Sequence, residues 1–312
     1  SIQGGAGTNN IWTYQANTSA TVTAGTGTDI IWFAENADQA VSVSGFVAGT
    51  DVVKFATAQS LKEIAEGYTF EGGTDTAIKG VNNTDSVLTL YSVSDKTIDL
   101  VDANDKAYKA LVNKSATTKG TFATDVNIYA GMTELTVDGS VEGTVSVRVG
   151  KESRGLSSDT YFIDNSVTTF DASQSTATFW VAGNANAATT IKGGLTENYL
   201  YGGGAASDEL FGSVAAKDTF YFGTGDGTDK ISGGVDKEDT IALWNVADAD
   251  IANVSVSINK SNQVEISLSD SSKLTITDAN GATALTDGLT FTSASQTAYT
   301  YDSESKTLVK KA

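Results

Sequence analysis

The sequence predicts an all-β fold: parallel β-solenoid or β-roll segments with antiparallel β-meander tails, and one short helix near residues 60–67. Three observations predict it. Apolar residues alternate with polar ones in short runs bounded by Gly, Asn, Asp, Ser and Thr, the pattern of strands and turns. Single bulky apolar residues recur at a nearly constant step between Gly-rich segments, the pattern of stacked repeats. The 312-residue chain has no proline, and every short strand of a stacked coil must donate its N–H groups to a neighbour.

The elements follow in order. Gly4 to Trp12 is one repeat unit, with Asn9 two positions before Ile11. Gly25 to Trp32 is another, with Asp29 before Ile31, and Val22 lies between them at matching spacing. Ser60 to Gly67 is the single helical stretch. Ser60 and Glu63 form a capping box, Leu61 and Ile64 share a face, and Gly67 ends it. Val87, Leu88, Leu90, Ile98 and Leu100 make a first meander that ends in Asp102-Ala103-Asn104. Residues 126–182 are strand-like through Val137, Val141, Val145, Val147, Val149 and Tyr161-Phe162-Ile163, but their turns carry no acidic pattern.

From Phe170 the repeat is regular. Phe170, Phe179, Ile191, Leu200, Leu210, Phe220 and Ile231 follow one another at steps of 9, 12, 9, 10, 10 and 11. Asn198, Asp208, Asp218 and Asp229 each stand two positions before one of them. Glycines supply the turns, and the single apolar residue of each unit points inward to a core that no unit forms alone. A second meander reads Val254/Val256/Ile258, Val264/Ile266/Leu268 and Leu274/Ile276, and it too ends in Asp-Ala-Asn, at 278–280. Two related modules result. The first is 1–125, an array over 4–55 plus a meander tail. The second is 126–312, a solenoid over 126–243 plus a C-terminal meander over 244–312.

Composition narrows the function. With neither cysteine nor histidine, thiol chemistry, histidine bases and the usual zinc sites are excluded. The ligands that remain are oxygens, a set suited to calcium. The net charge is −18, from 38 acidic and 20 basic residues; such a chain repels phosphate backbones and anionic membrane surfaces. No apolar run approaches the ~18 residues of a membrane span. The start at Ser1 reads as a processed or excised terminus. Gly223-Thr224-Gly225-Asp226-Gly227 is no phosphate loop, since no Lys-Ser/Thr follows and Asp226 repels phosphate. Acidic pairs such as Glu238/Asp239 arise by chance among 38 acids, and nothing places them across a cleft.

The repeat units resemble the RTX, or hemolysin-type calcium-binding, nonapeptide family, G-G-x-G-x-D-x-U-x with U a large apolar residue. Residues 4–12 match with Asn9 in the Asp position; residues 203–211 match with Ala206 for a glycine; residues 193–201 are more degraded. Val43 to Phe55 and Ile231 to Leu243 resemble the segment that closes such arrays, I-x-x-F-x-x-G-x-D-x-I-x-L. The likeness covers roughly 4–55 and 183–243. It implies Ca2+ held between same-side turns two units apart, by motif side chains and turn carbonyls. The candidate metal residues are then Asn9 with Asp29, Asp29 with Asp51, Asn198 with Asp218, and Asp208 with Asp229 or Asp226. The alternative is that these Asp and Asn residues only make Asx-turns.

The function expected is a non-enzymatic, secreted or surface-displayed bacterial structural protein: an S-layer, matrix, adhesin or filament subunit stiffened by calcium. Its partner is itself, head to tail, through uncapped coil ends. Two alternatives stay open. One is a carbohydrate-binding adhesin module for cell-surface glycans, since Trp12 and Trp32 point outward 20 residues apart and form an exposed stacked pair. The other is the accessory array of a larger secreted hydrolase.

Overall fold

The structure is a computed structural model that describes residues 1–13, 19–35, 39–113, 119–150 and 161–311. The fold is all-β, as long parallel sheets carrying antiparallel pieces. The chain divides into two compact units, one of Ser1–Glu134 with Tyr161–Val167, the other of Leu135–Thr160 with Thr168–Ala312.

In the first unit the chain alternates between two sheets, one strand in each per coil. Ile2–Gln3, Ala20–Thr23, Ala40–Ser44 and Val87–Leu90 stack in parallel on one side. Asn9–Trp12, Asp29–Phe33, Val52–Phe55 and Lys96–Val101 stack on the other. Ile11, Val22, Ile31, Val41, Val53, Leu88 and Ile98 are all buried between the sheets. The strands Val87–Leu90 and Lys96–Val101, which the sequence places in a meander, have a double membership. Each continues a parallel stack on one edge and pairs antiparallel on the other, with Thr76–Gly80 and Ala107–Val112 respectively.

The helix Leu61–Gly67 lies in this unit. The Ser60 hydroxyl accepts from the Glu63 N–H at 3.2 Å, and the Glu63 carboxylate accepts from Gln59 N–H at 2.8 Å, one residue earlier than a capping box requires.

In the second unit Thr169–Asp171, Thr190–Lys192, Glu209–Phe211, Thr228–Gly233 and Lys273–Ile276 stack in parallel. The facing stack is Thr144–Val149, Thr178–Ala182, Asn198–Tyr201, Thr219–Phe222, Thr240–Leu243 and Thr290–Thr292. All seven apolar residues of the regular repeat, Phe170 to Ile231, are buried. The C-terminal meander forms as read: Ser255–Ile258, Val264–Ser267 and Lys273–Ile276 pair antiparallel.

One expectation is corrected. The helix near 60–67 is not alone, for a second spans Gly281–Asp287 and a 3-10 turn spans Asp248–Asn253. The second helix starts after Asn280 and stops at Gly288, whose φ of 109° is left-handed. Its buried residues are Gly281, Ala282, Ala284 and Leu285, so a single bulky residue stood on its inner face and no apolar stripe showed in the sequence.

Glycine is required where turns of successive coils touch. A Cβ on Gly25 would lie 1.9 Å from the Gly5 carbonyl oxygen, and one on Gly183 would lie 1.8 Å from that of Gly202. Both contacts are with backbone, which cannot swing aside.

Candidate functional site

The residues that open each strand form three polar ladders, each running from coil to coil inside the turns. In the first unit the ladder is Asn9, Asp29, Asp51. Asn9 Nδ2 donates to Asp29 Oδ1 at 2.7 Å, and Asp29 N–H donates to Asp51 Oδ1 at 2.8 Å. Each carboxylate also closes its own turn: Gly25 N–H donates to Asp29 Oδ2 and Val47 N–H to Asp51 Oδ2, both at 2.7 Å.

The second unit holds two more. One is Asn198, Asp218, Asp239. Asn198 N–H donates to Asp218 Oδ1 at 2.8 Å and Asp218 N–H to Asp239 Oδ1 at 2.7 Å. Ser213 N–H and Asp236 N–H cap the second oxygens of Asp218 and Asp239, at 2.5 and 2.8 Å. The other is Thr189, Asp208, Asp229. Thr189 N–H donates to Asp208 Oδ1 at 2.6 Å and Asp208 N–H to Asp229 Oδ1 at 3.0 Å. Here the pattern breaks, because Asp208 Oδ2 is buried and no donor reaches it.

Thus the pairs Asn9/Asp29, Asp29/Asp51, Asn198/Asp218 and Asp208/Asp229 are each brought together. Asp226 is not in a ladder. It accepts from the Tyr201 hydroxyl at 2.9 Å and from Trp244 Nε1 at 3.0 Å, so it ties side chains of neighbouring coils instead. Asp239 and Thr189 belong to the ladders and were missed as site residues. Asp239 does stand two positions before Ile241, the same signal that marks the others; Thr189 stands before Ile191 but is not acidic. Glu238 is exposed while Asp239 is buried within its ladder, so the two do not face one another as an acid and a base.

Burial governs the electrostatics. It pushes the Asp208 carboxyl up to about 8, against the Thr189 N–H that favours the charged form, with the charges of Asp229 and Asp226 adding to the rise. Burial likewise raises Asp229 and Asp239 to about 7 and Asp218 to about 6. Asp218 rises least, in line with its three hydrogen bonds from Ser213 N–H and from the backbone and amide of Asn198.

The test for calcium is whether these oxygens are free. Around Asn9 and Asn198 the turn carbonyls and carboxylates already receive N–H donors. Both oxygens of Asp226 are also engaged. Among the described residues no group of three acidic side chains has the geometry to hold a metal ion. Asp208 differs from the other ladder residues in keeping one buried carboxylate oxygen with no hydrogen-bond donor on it. A cleft of about 240 Å³ is lined by Thr189, Thr190, Asp208, Glu209 and Lys230 among others.

Aromatic rings form rows on the outer faces. In the first unit Trp12 stacks on Trp32 with centroids 5.6 Å apart, and Lys54 Nζ lies 4.2 Å from the Trp32 ring centroid. In the second, Trp180 and Tyr199 stack at 3.7 Å and 5°. Strand register places these partners directly opposite one another, and the coil spacing then stacks them.

No protein-family profile matches the chain, and no curated protein does. Among solved structures it is similar to the extracellular lipase LipA from Serratia marcescens, at 14% identity and a TM-score of 0.21. That match covers 84% of this chain and 36% of the lipase, so the chain spans about a third of the protein it matches. Among the described residues no helix is long and apolar enough to cross a membrane.

Proposed function

We propose that this chain is a non-enzymatic structural module of a secreted or surface-displayed bacterial protein, an S-layer, matrix or filament component. Its coils are tied by buried polar ladders, and calcium is taken at the Asp208 rung. The observation that carries the calcium part is the buried, unpartnered Asp208 Oδ2. A buried carboxylate oxygen without a donor is costly, and a hard cation with oxygen ligands relieves that cost. Asp208 and Asp229 would hold the ion, and the ion would supply charge neutralisation between two coils. It binds only the folded turns, so it stabilises by mass action.

The structural part is supported by where the acidic residues lie. The ladder carboxylates are buried in turns and bonded to backbone N–H groups, which is the work of holding coils together. The outer aromatic rows support it too, since each stacked pair joins side chains of two successive coils.

Self-association is the partner of this reading. The strand Asn9–Trp12 sits at one sheet edge and Ile2–Gln3 at the edge of the other, and Trp12 and Ile2 are exposed. Strand addition there would join copies head to tail. The experiment is thermal melting of the chain with calcium and with chelator, alongside light scattering. An unchanged melting temperature rejects calcium at Asp208, and a strictly monomeric chain at high concentration rejects assembly.

A further inference from the structure

The two asparagines that head the ladders do more than substitute for aspartate. Asn198 Nδ2 donates to Gly194 O at 3.1 Å, to Thr196 O at 2.6 Å and to Asp218 Oδ1 at 2.8 Å. Asn9 Nδ2 donates to Gly5 O at 3.3 Å, to Gly7 O at 2.9 Å and to Asp29 Oδ1 at 2.7 Å. In both units an amide nitrogen sits among two carbonyls of its own turn and one carboxylate of the next coil. The orientation of the Asn198 amide is fixed by its other end, since Oδ1 accepts from Gly194 N–H at 2.8 Å. The opposite flip would set an oxygen against three oxygens and an N–H against an NH2.

Such a set of convergent oxygens is what a hard cation requires. We infer that the amide groups of Asn9 and Asn198 occupy the place of a cation, so that these two coil junctions hold together without metal. The chemistry is a donor swap. An NH2 group brings two hydrogens with partial positive charge to three oxygens, and it leaves one formal negative charge at the junction instead of two. An aspartate at either position would remove both hydrogens, add a second carboxylate, and make the junction repel itself. It would also leave the two turn carbonyls without the amide donor and place a second carboxylate oxygen beside them, toward an ion.

The inference rests on the Asn9 and Asn198 geometry and not on calcium at Asp208. Asn198→Asp and Asn9→Asp are near-isosteric, so side-chain volume is kept and only the donor and the charge change. The full chain and both variants are titrated with calcium alone, by calorimetry and by thermal melting, against a chelator control. Each variant is expected to melt below the parent in chelator and to bind one more calcium per chain than the parent. At calcium a hundred times its Kd, the folding constant of the variant's unit should rise about a hundredfold beyond any rise in the parent.

If a variant is unfolded in chelator, calcium should refold it. A variant that gains no calcium equivalent and no stability overturns the inference. A second reading on the unaltered chain decides independently: the side-chain amide protons of Asn9 and Asn198 should be protected from exchange, and calcium should leave their NMR signals in place. Signals that move on direct coordination overturn it as well. Asp208→Asn in the same titration separates the two claims. It removes any calcium bound at that rung and leaves the gain in Asn198→Asp intact.

Discussion

Asp208→Asn should stabilise the metal-free protein, and increasingly so as pH rises from about 4 to about 8. The wild-type side chain carries a buried oxygen that nothing donates to. Its pKa stands at about 8, roughly four units above an ordinary aspartate. Four units correspond to an upper limit of about 5–6 kcal/mol against the charged form. Burial is the larger cause and the Asp229 and Asp226 charges add to it; solvent screening and local relaxation reduce the limit, so the gain from the substitution is about 2–3 kcal/mol, the scale of one unsatisfied buried charged group. At pH 9 the second unit should then melt about 5–10 °C higher in the variant. At pH 5 the folded carboxyl is protonated and only about a quarter of the penalty remains, so the two proteins should melt within about 2 °C of each other. The assay is scanning calorimetry in chelator, with the transition of each unit read separately because two units need not melt together. An equal change at both pH values, or a loss at pH 9, would refute the reasoning. With calcium present the sign should reverse, because the variant gives up the ligand.

The wild type itself should be more stable in chelator at pH 5 than at pH 8.5. Asp208, Asp218, Asp229 and Asp239 all have folded values raised above their unfolded ones; the folded state therefore holds more protons between about pH 4 and pH 8, and stability falls as pH rises through that window. A melting temperature that rises from pH 5 to 8.5 contradicts this. Gly25→Ala should cost about 2–3 kcal/mol in chemical denaturation, because the added carbon meets the Gly5 carbonyl at 1.9 Å; a neutral effect would mean that the turns are not stacked as described. Phe220→Ala should cost about 3–5 kcal/mol as a cavity in the second core, and a loss under 1 kcal/mol would place that side chain outside it. A double-mutant cycle on Trp180 and Tyr199, read by denaturation, should give a coupling of about 0.5–1.5 kcal/mol from their stacking. Additive effects would show that the rings do not touch.

The repeat was legible in the sequence because a stacked coil leaves a one-dimensional record. Each coil needs one inward apolar residue and one turn, so Phe170 through Ile231 could be numbered as core from their spacing alone. The same spacing paired Asn9 with Asp29 and Asn198 with Asp218, since residues one coil apart must lie side by side in a parallel stack. The outward stacking of Trp12 on Trp32 followed from the alternation of faces along a strand. The helix at Gly281–Asp287 was not legible, because a two-turn helix that buries glycine, alanine and the single Leu285 has no bulky stripe to reveal it.

What the sequence left undetermined was the chemical role of each polar residue. Spacing put the ladder residues in contact, but a carboxylate that binds metal and one that accepts backbone N–H groups have the same spacing. The difference between them lies in where each donor points, which only the tertiary structure shows. Ser213 N–H reaches Asp218 Oδ2, and no donor reaches Asp208 Oδ2. Asp226 turned out to serve Tyr201 and Trp244, two side chains brought beside it by the stacking of other coils. Asn198 turned out to present hydrogens, not an oxygen, to the point where three oxygens meet. Periodicity is a property of the chain, whereas the satisfaction of a buried polar atom is a property of its three-dimensional surroundings.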